Sequence, residues 1–166
     1  WLYTEKSSAD FVILYLHGGG FVLPAIKPHY SFCAMLAIKT HATVIMPSYR
    51  LAPEHPFPAG VEDCLAAYRW LLEHDYDPAK IVIAGDSAGG NLTMTTVLAA
   101  RSAGLPLPAG MVMLSPALRF EEANTGSHQT NRQLESMLSE RALMYFKESY
   151  MPEGKTPEHE CMRPLE

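Results

Sequence analysis

Gly85-Asp86-Ser87-Ala88-Gly89 follows an apolar run, Ile81-Val82-Ile83-Ala84, and precedes a helix-forming stretch, Asn91 to Ala100. A serine flanked at two residues' distance by glycines, between a strand and a helix, is the pattern of a nucleophile on a sharp turn. The turn leaves no room for side chains at positions 85 and 89. It lifts the Ser87 hydroxyl out of the sheet and sets it at a helix N-terminus, where backbone N–H groups can stabilise a developing oxyanion. A second run, His17-Gly18-Gly19-Gly20, follows the apolar segment Phe11–Leu16. Three consecutive glycines let the backbone approach a reacting group and turn its N–H donors inward, as the tetrahedral intermediate of acyl transfer requires.

These residues must be held by a regular framework. Phe11–Leu16, Ala42–Met46, Lys80–Ala84 and Met111–Leu114 read as strands, apolar on both faces as inside a parallel sheet. Tyr30–Lys39 reads as a helix. Val61, Leu65, Tyr68 and Leu72 define an amphipathic helix ending near His74, and Leu92–Ser102 a third, closed by Gly104 and Pro106. Strand and helix alternate, which predicts an α/β architecture: a mostly parallel sheet with flanking helices and right-handed crossovers. Beyond Pro116 the alternation stops. Arg119–Gln133 reads as a polar loop, and Leu134, Met137, Leu138, Ala142, Tyr145 and Phe146 as one face of a further helix. Between the glycine run and the serine, Tyr49–Ala59 carries three prolines and reads as a stiff, non-helical connection, with Arg50 and Glu54 as scaffold ions.

Bulk properties narrow the partners. The 166 residues carry a formal charge of −5 and no basic run, which argues against nucleic acid. No apolar stretch is long enough to cross a bilayer. Three cysteines, Cys33, Cys64 and Cys161, lack metal-type spacing and suit no disulfide framework, which favours a reducing, cytoplasmic setting. No ligand cluster calls for a metal, and the chemistry needs no cofactor.

Together the three segments resemble the hormone-sensitive-lipase-like group of α/β-hydrolases, the carboxylesterase and arylacetamide deacetylase type. The glycine-rich motif of that group matches His17–Gly20, its tyrosine-arginine-leucine-alanine-proline-glutamate segment matches Tyr49–Glu54, and its nucleophile motif matches Gly85–Gly90. The resemblance is close from Phe11 to Pro116 and thin beyond. It implies an α/β-hydrolase fold and a serine hydrolase that cleaves carboxylic esters through an acyl-enzyme, with a small-molecule ester as substrate. It further implies Ser87 as nucleophile, and Gly19, Gly20 and the N–H of Ala88 as oxyanion hole. Asp86 would tie neighbouring loops, and His17, with Gly18, would orient the glycine loop.

A serine nucleophile also needs a base and an orienting acid, which in these hydrolases follow it in the chain. The 79 residues after Ser87 contain no aspartate and two histidines, His128 and His159, both in settings that suggest exposed loops. The expectation is therefore a partial domain, incomplete at both ends: residues 1–116 a core with the nucleophile, residues 117–166 a lid or insertion, the acid and base supplied by the missing remainder or a partner chain. Two alternatives stand beside it, a non-catalytic small-molecule-binding protein of the same fold and an inactive truncated remnant. A trypsin-like protease is disfavoured, because it would need an all-β frame with the histidine upstream.

Overall fold

The computed structural model describes residues 2–3, 11–118, 130, 134 and 138–151. Five strands form one sheet: β1 (Leu2–Tyr3), β2 (Val12–Leu16), β3 (Thr43–Met46), β4 (Ile81–Asp86) and β5 (Gly110–Leu114). Among the described residues, helices α1 (Lys27–Thr40), α2 (Ala59–Glu73), α3 (Ala88–Ser102) and α4 (Glu140–Tyr150) accompany them. A turn of 3-10 helix, Pro78–Lys80, leads into β4, with the Asp77 side chain accepting from the Ala79 N–H.

The spatial order is β1-β3-β2-β4-β5. All pairs are parallel except β1 with β3, a short antiparallel addition that the sequence pattern does not announce. The chain leaves β2 for β3 on one side, then crosses back over β2 to lay down β4 on the other. Such a reversal opens a crevice at the carboxyl ends of the two central strands, where open α/β sheets bind ligands. Here those ends belong to β2 and β4, paired in register from Val12↔Ile81 to Leu16↔Gly85.

Side-chain alternation divides the core between the two faces. Leu14, Leu16, Ile45, Ile81 and Ile83 pack with Val61, Cys64, Tyr68 and Leu71 of α2 and Leu92 and Ala100 of α3. On the opposite face Tyr15, Val44, Met46 and Ala84 pack with Cys33 and neighbouring apolar residues of α1. Cys33 and Cys64 are buried as free thiols. At the β5 edge of the described sheet, Met111, Val112 and Leu114 are exposed.

Several boundaries differ from the sequence reading. Helix α1 begins at Lys27 rather than Tyr30, with Pro28 in its first turn, where a missing N–H costs nothing. Helix α3 begins at Ala88, directly after the serine, so its first turn is Ala-Gly-Gly despite the poor helix propensity of glycine. Helix α4 begins at Glu140, not at Leu134. Ser139 caps it, its hydroxyl accepting from the Ala142 N–H, while Leu134 and Leu138 lie before the helix and are exposed. Most of the polar loop expected at Arg119–Gln133 lies outside the described residues, as do His128, Met137, His159 and Cys161.

Candidate active site

Ser87 stands between the last residue of β4 and the first of α3, with φ 51° and ψ −116°. A β-carbon-bearing residue at this φ is strained by about 1–3 kcal/mol, so the turn persists only because its surroundings determine it. They do so on three sides. The Ser87 N–H donates to the Leu114 carbonyl at the end of β5 (2.9 Å), and the Ser87 carbonyl accepts from Ala117 (3.0 Å) and Asn91 (3.2 Å). The Asn91 side chain, itself buried, donates to the Ala117 carbonyl at 2.9 Å.

The glycines of the turn are dictated by close approach. A Cβ on Gly89 would run into the carbonyl oxygen of Leu16 and lie 2.6 Å from that of His17; one on Gly85 would meet the carbonyl of Gly89 and lie 2.6 Å from that of Leu16. The first turn of α3 thus rests directly on the end of β2. Because Asn91 makes the first backbone bond within α3, the N–H of Ala88 is one of the helix's orphan donors.

The glycine loop continues from β2 beside this turn. Gly19, Gly20 and Phe21 have φ of 120°, 61° and 63°. The Gly19 carbonyl accepts from Val22 (3.1 Å) and Leu23 (2.9 Å), which closes the loop on itself. Phe21 is buried as a packing residue, Val22 is half-buried and Leu23 is exposed.

Asp86 sits at the centre of the support. In β4 it lies on the same face as Ala84, which pairs with Tyr15, so both Asp86 and Tyr15 point toward α1. Its Oδ1 accepts from the Tyr15 hydroxyl (2.8 Å) and the Gly18 N–H (3.0 Å), and its Oδ2 lies 3.7 Å from His29 Nε2. A side chain at position 18 would strike the same carboxylate. Burial, reinforced by the bond to Asp86, pushes the Tyr15 hydroxyl pKa far up, so Tyr15 remains a neutral donor.

His17 is buried. Its Nδ1 is 2.7 Å from the Gly18 carbonyl, which can only accept, so Nδ1 carries the proton. Its ring stacks on Tyr49 (centroids 4.4 Å apart, 18° between planes), and the Tyr49 hydroxyl donates to the His17 carbonyl at 2.6 Å. Burial holds the His17 pKa below 6.5, with His29 also lowering it and the Gly18 and Asp86 oxygens opposing. The ring is therefore neutral at pH 7 and occupied with its own loop.

Helix α4 closes over the loop. The Phe146 ring lies on Gly20, where an added Cβ would be 2.5 Å from Phe146 Cγ. Arg50 pairs with Asp63 (2.8 Å) and Glu62 (3.1 Å) at the start of α2, a scaffold arrangement.

The structure brings together Ser87, Gly18, Gly19, Gly20, Ala88, His17 and Asp86, all at the carboxyl ends of β2 and β4. Sequence reasoning missed Tyr15 and His29, and gave Tyr49, though it begins a matched segment, no role of its own. Strand alternation could have found Tyr15, two positions before His17 and on the face of Asp86. Among the described residues no histidine is hydrogen-bonded to the Ser87 hydroxyl, and no group of three His, Cys, Asp or Glu side chains could hold a metal ion.

A parallel sheet with a strained serine turn beside a glycine loop defines an α/β-hydrolase, and residues 13–166 match the family described as alpha/beta hydrolase fold, to which the chain belongs. Its relatives include proteins named as hormone-sensitive lipases or as members of that family. It is 41% identical over 154 residues to an acetyl-hydrolase of Streptomyces hygroscopicus, covering 92% of this chain and 50% of that protein. It is 38% identical over 120 residues to human hormone-sensitive lipase, covering 70% of this chain and 11% of that one. A crystal structure of an esterase from the bacterial hormone-sensitive lipase family superposes with a TM-score of 0.89 at 42% identity, over 98% of this chain and 54% of the esterase. The chain spans about half the length of the first of these relatives and of the esterase structure.

Proposed function

We propose that this chain carries the nucleophile and oxyanion hole of a carboxylic ester hydrolase. The observation that carries the reading is the pairing of Leu16 with Gly85, which sets the glycine loop and the serine turn side by side. Ser87 Oγ attacks the ester carbonyl. The N–H groups of Gly19, Gly20 and Ala88 receive the oxyanion, which collapses to an acyl-enzyme as the alcohol leaves; water then releases the acid. Asp86 holds Gly18 and Tyr15 and so serves as a positioning residue, not as the acid of a triad. His17 keeps its Nδ1 proton on the loop and is not the base.

The base that takes the Ser87 proton, with its orienting acid, we assign to residues outside those described. The relatives' greater length supports that assignment. Within the stretch 117–166, read from the sequence as a lid or insertion, α4 is assigned to the lid side of the site, and the contact of Phe146 with Gly20 supports that role. None of the described helices is long and apolar enough to cross a membrane, and the buried free thiols of Cys33 and Cys64 favour a reducing compartment such as the cytoplasm.

The test is turnover of a short-chain aryl ester by full-length protein. Ser87→Ala should abolish it, a loss of about 10⁴-fold or more. Normal turnover by Ser87→Ala would overturn the assignment.

A further inference from the structure

His29 lies outside every motif singled out above, yet its ring meets two of the elements that shape the site. It is in the first turn of α1, where the loop that began at β2 re-enters regular structure. The Ile26 N–H donates to His29 Nδ1 at 3.0 Å. A backbone amide can only donate, so Nδ1 is unprotonated and the neutral ring carries its proton on Nε2. That nitrogen is the one that faces Asp86 Oδ2, at 3.7 Å. The other carboxylate oxygen, Oδ1, accepts from Gly18 N–H and the Tyr15 hydroxyl. Asp86 therefore bonds the glycine loop at its start, through Gly18, and faces its end at His29 across 3.7 Å, a polar approach longer than a hydrogen bond. Gly19 and Gly20, the proposed donors, lie between the two.

We propose that His29 is a positioning residue for the oxyanion hole, acting through Asp86 to hold the glycine loop against the serine turn. The inference rests on the ester-hydrolase reading. The physical need is clear, because three successive residues of the loop, Gly19 to Phe21, have positive φ and must be fixed from outside. Amide donors aimed at a developing charge lose their value when they move by a fraction of an ångström. His29 has two separable jobs: to cap α1 through Nδ1, and to present an N–H to Asp86 through Nε2.

Three substitutions in the full-length enzyme separate those jobs. Glutamine can accept from Ile26 with Oε1 and donate to Asp86 with Nε2. Glutamate can cap equally well, being a favoured residue at that helix position, but sets a second negative charge against Asp86. Alanine does neither. The expected order of kcat on a short aryl ester is wild type close to His29→Gln, with His29→Glu and His29→Ala lower by about 10- to 100-fold and KM changed by less than about threefold. Equal kcat for the glutamine and glutamate variants would reduce His29 to a helix cap and overturn the proposal. Wild-type kcat in His29→Ala would do the same. If the glutamate variant does not fold, the alanine variant still tests the proposal, since wild-type kcat there overturns it. Ser87→Ala assayed alongside keeps the two readings apart. Turnover that survives it refutes the nucleophile, whereas Ser87-dependent turnover indifferent to His29 refutes only the positioning role.

Discussion

The ring of Tyr150 stacks on that of Phe21, with centroids 3.8 Å apart and planes 11° from parallel. Tyr150 ends α4 and Phe21 ends the run of positive-φ residues after the three glycines, so the contact ties the lid side of the molecule to the loop that carries the proposed oxyanion donors. One hydrogen bond and one ring contact fix it: the Tyr150 carbonyl accepts from the Phe57 N–H at 2.9 Å, and the Phe57 ring meets Tyr150 edge-on with centroids 5.9 Å apart. One turn earlier on the same helix face, Phe146 covers Gly20.

The first prediction follows from that clamp. Tyr150 is 2% exposed, and its removal would leave a cavity bordered by Phe21 and Phe57. Tyr150→Ala should destabilise full-length protein by about 3–5 kcal/mol, the range for deleting a buried aromatic side chain. Because Phe146 rides on the same helix, the variant should also lose ester turnover at temperatures where it remains folded. Thermal unfolding followed by circular dichroism, with an ester assay below the transition, checks both. An unchanged transition would mean that α4 rests on the loop without bracing it.

The second prediction sets two glycines against each other. Gly89 would need no special backbone angle, but a Cβ there meets the carbonyls of Leu16 and His17. Gly104 is the reverse: its φ is +67°, and an added Cβ would have nothing within 4 Å. Gly104→Ala should therefore cost only the left-handed strain, about 1–2 kcal/mol, and leave turnover intact. Gly89→Ala must push the first turn of α3 off β2. It should lose turnover by about 100-fold or more, since that turn carries both Ser87 and the Ala88 donor. Soluble yield, unfolding midpoint and kcat of the two variants make the comparison. Equal behaviour would show that the fit between α3 and β2 is looser than the backbone contacts indicate.

The contrast also shows what a sequence can disclose of such a site. Gly-x-Ser-x-Gly was legible because its glycines answer a local demand, the tight turn, and because an apolar run marks the strand that feeds it. The sheet order was not legible in detail. The two-residue β1 has too little pattern to register, and the start of α3 at Ala88 sets close packing above the low helix propensity of Gly89 and Gly90. Helix α4 was legible as an apolar face but not in its start, because Leu134 and Leu138 continue the helical spacing past the cap at Ser139. The supporting contacts of Asp86 were least visible. Tyr15 and His29 are 71 and 57 positions away from it in the chain, and only the parallel register of β2 with β4 and the seat of α1 on that face bring them together.

The third prediction concerns pH. His17 is buried and its pKa is held below 6.5, chiefly by desolvation, so the folded protein resists a proton that the unfolded chain accepts near that value. Where the unfolded state binds more protons, stability rises with pH. The contribution is therefore complete above about pH 6.5 and is lost progressively as the pH falls below it, by at most about 1.4 kcal/mol per pH unit for one group. His29, Asp86 and Tyr49 face the same ring, and the carboxylate of Asp86 only softens the effect. His17→Asn keeps an N–H donor for the Gly18 carbonyl and removes the titration. Denaturant unfolding of the wild type and this variant at pH 7.5, 6.5 and 5.5 isolates the term. The wild type should lose stability faster than the variant over the lower interval and in parallel with it over the upper one. Parallel losses across the whole range would mean that His17 takes up its proton in the folded state as readily as in the unfolded one, and that its burial beneath the glycine loop is incomplete.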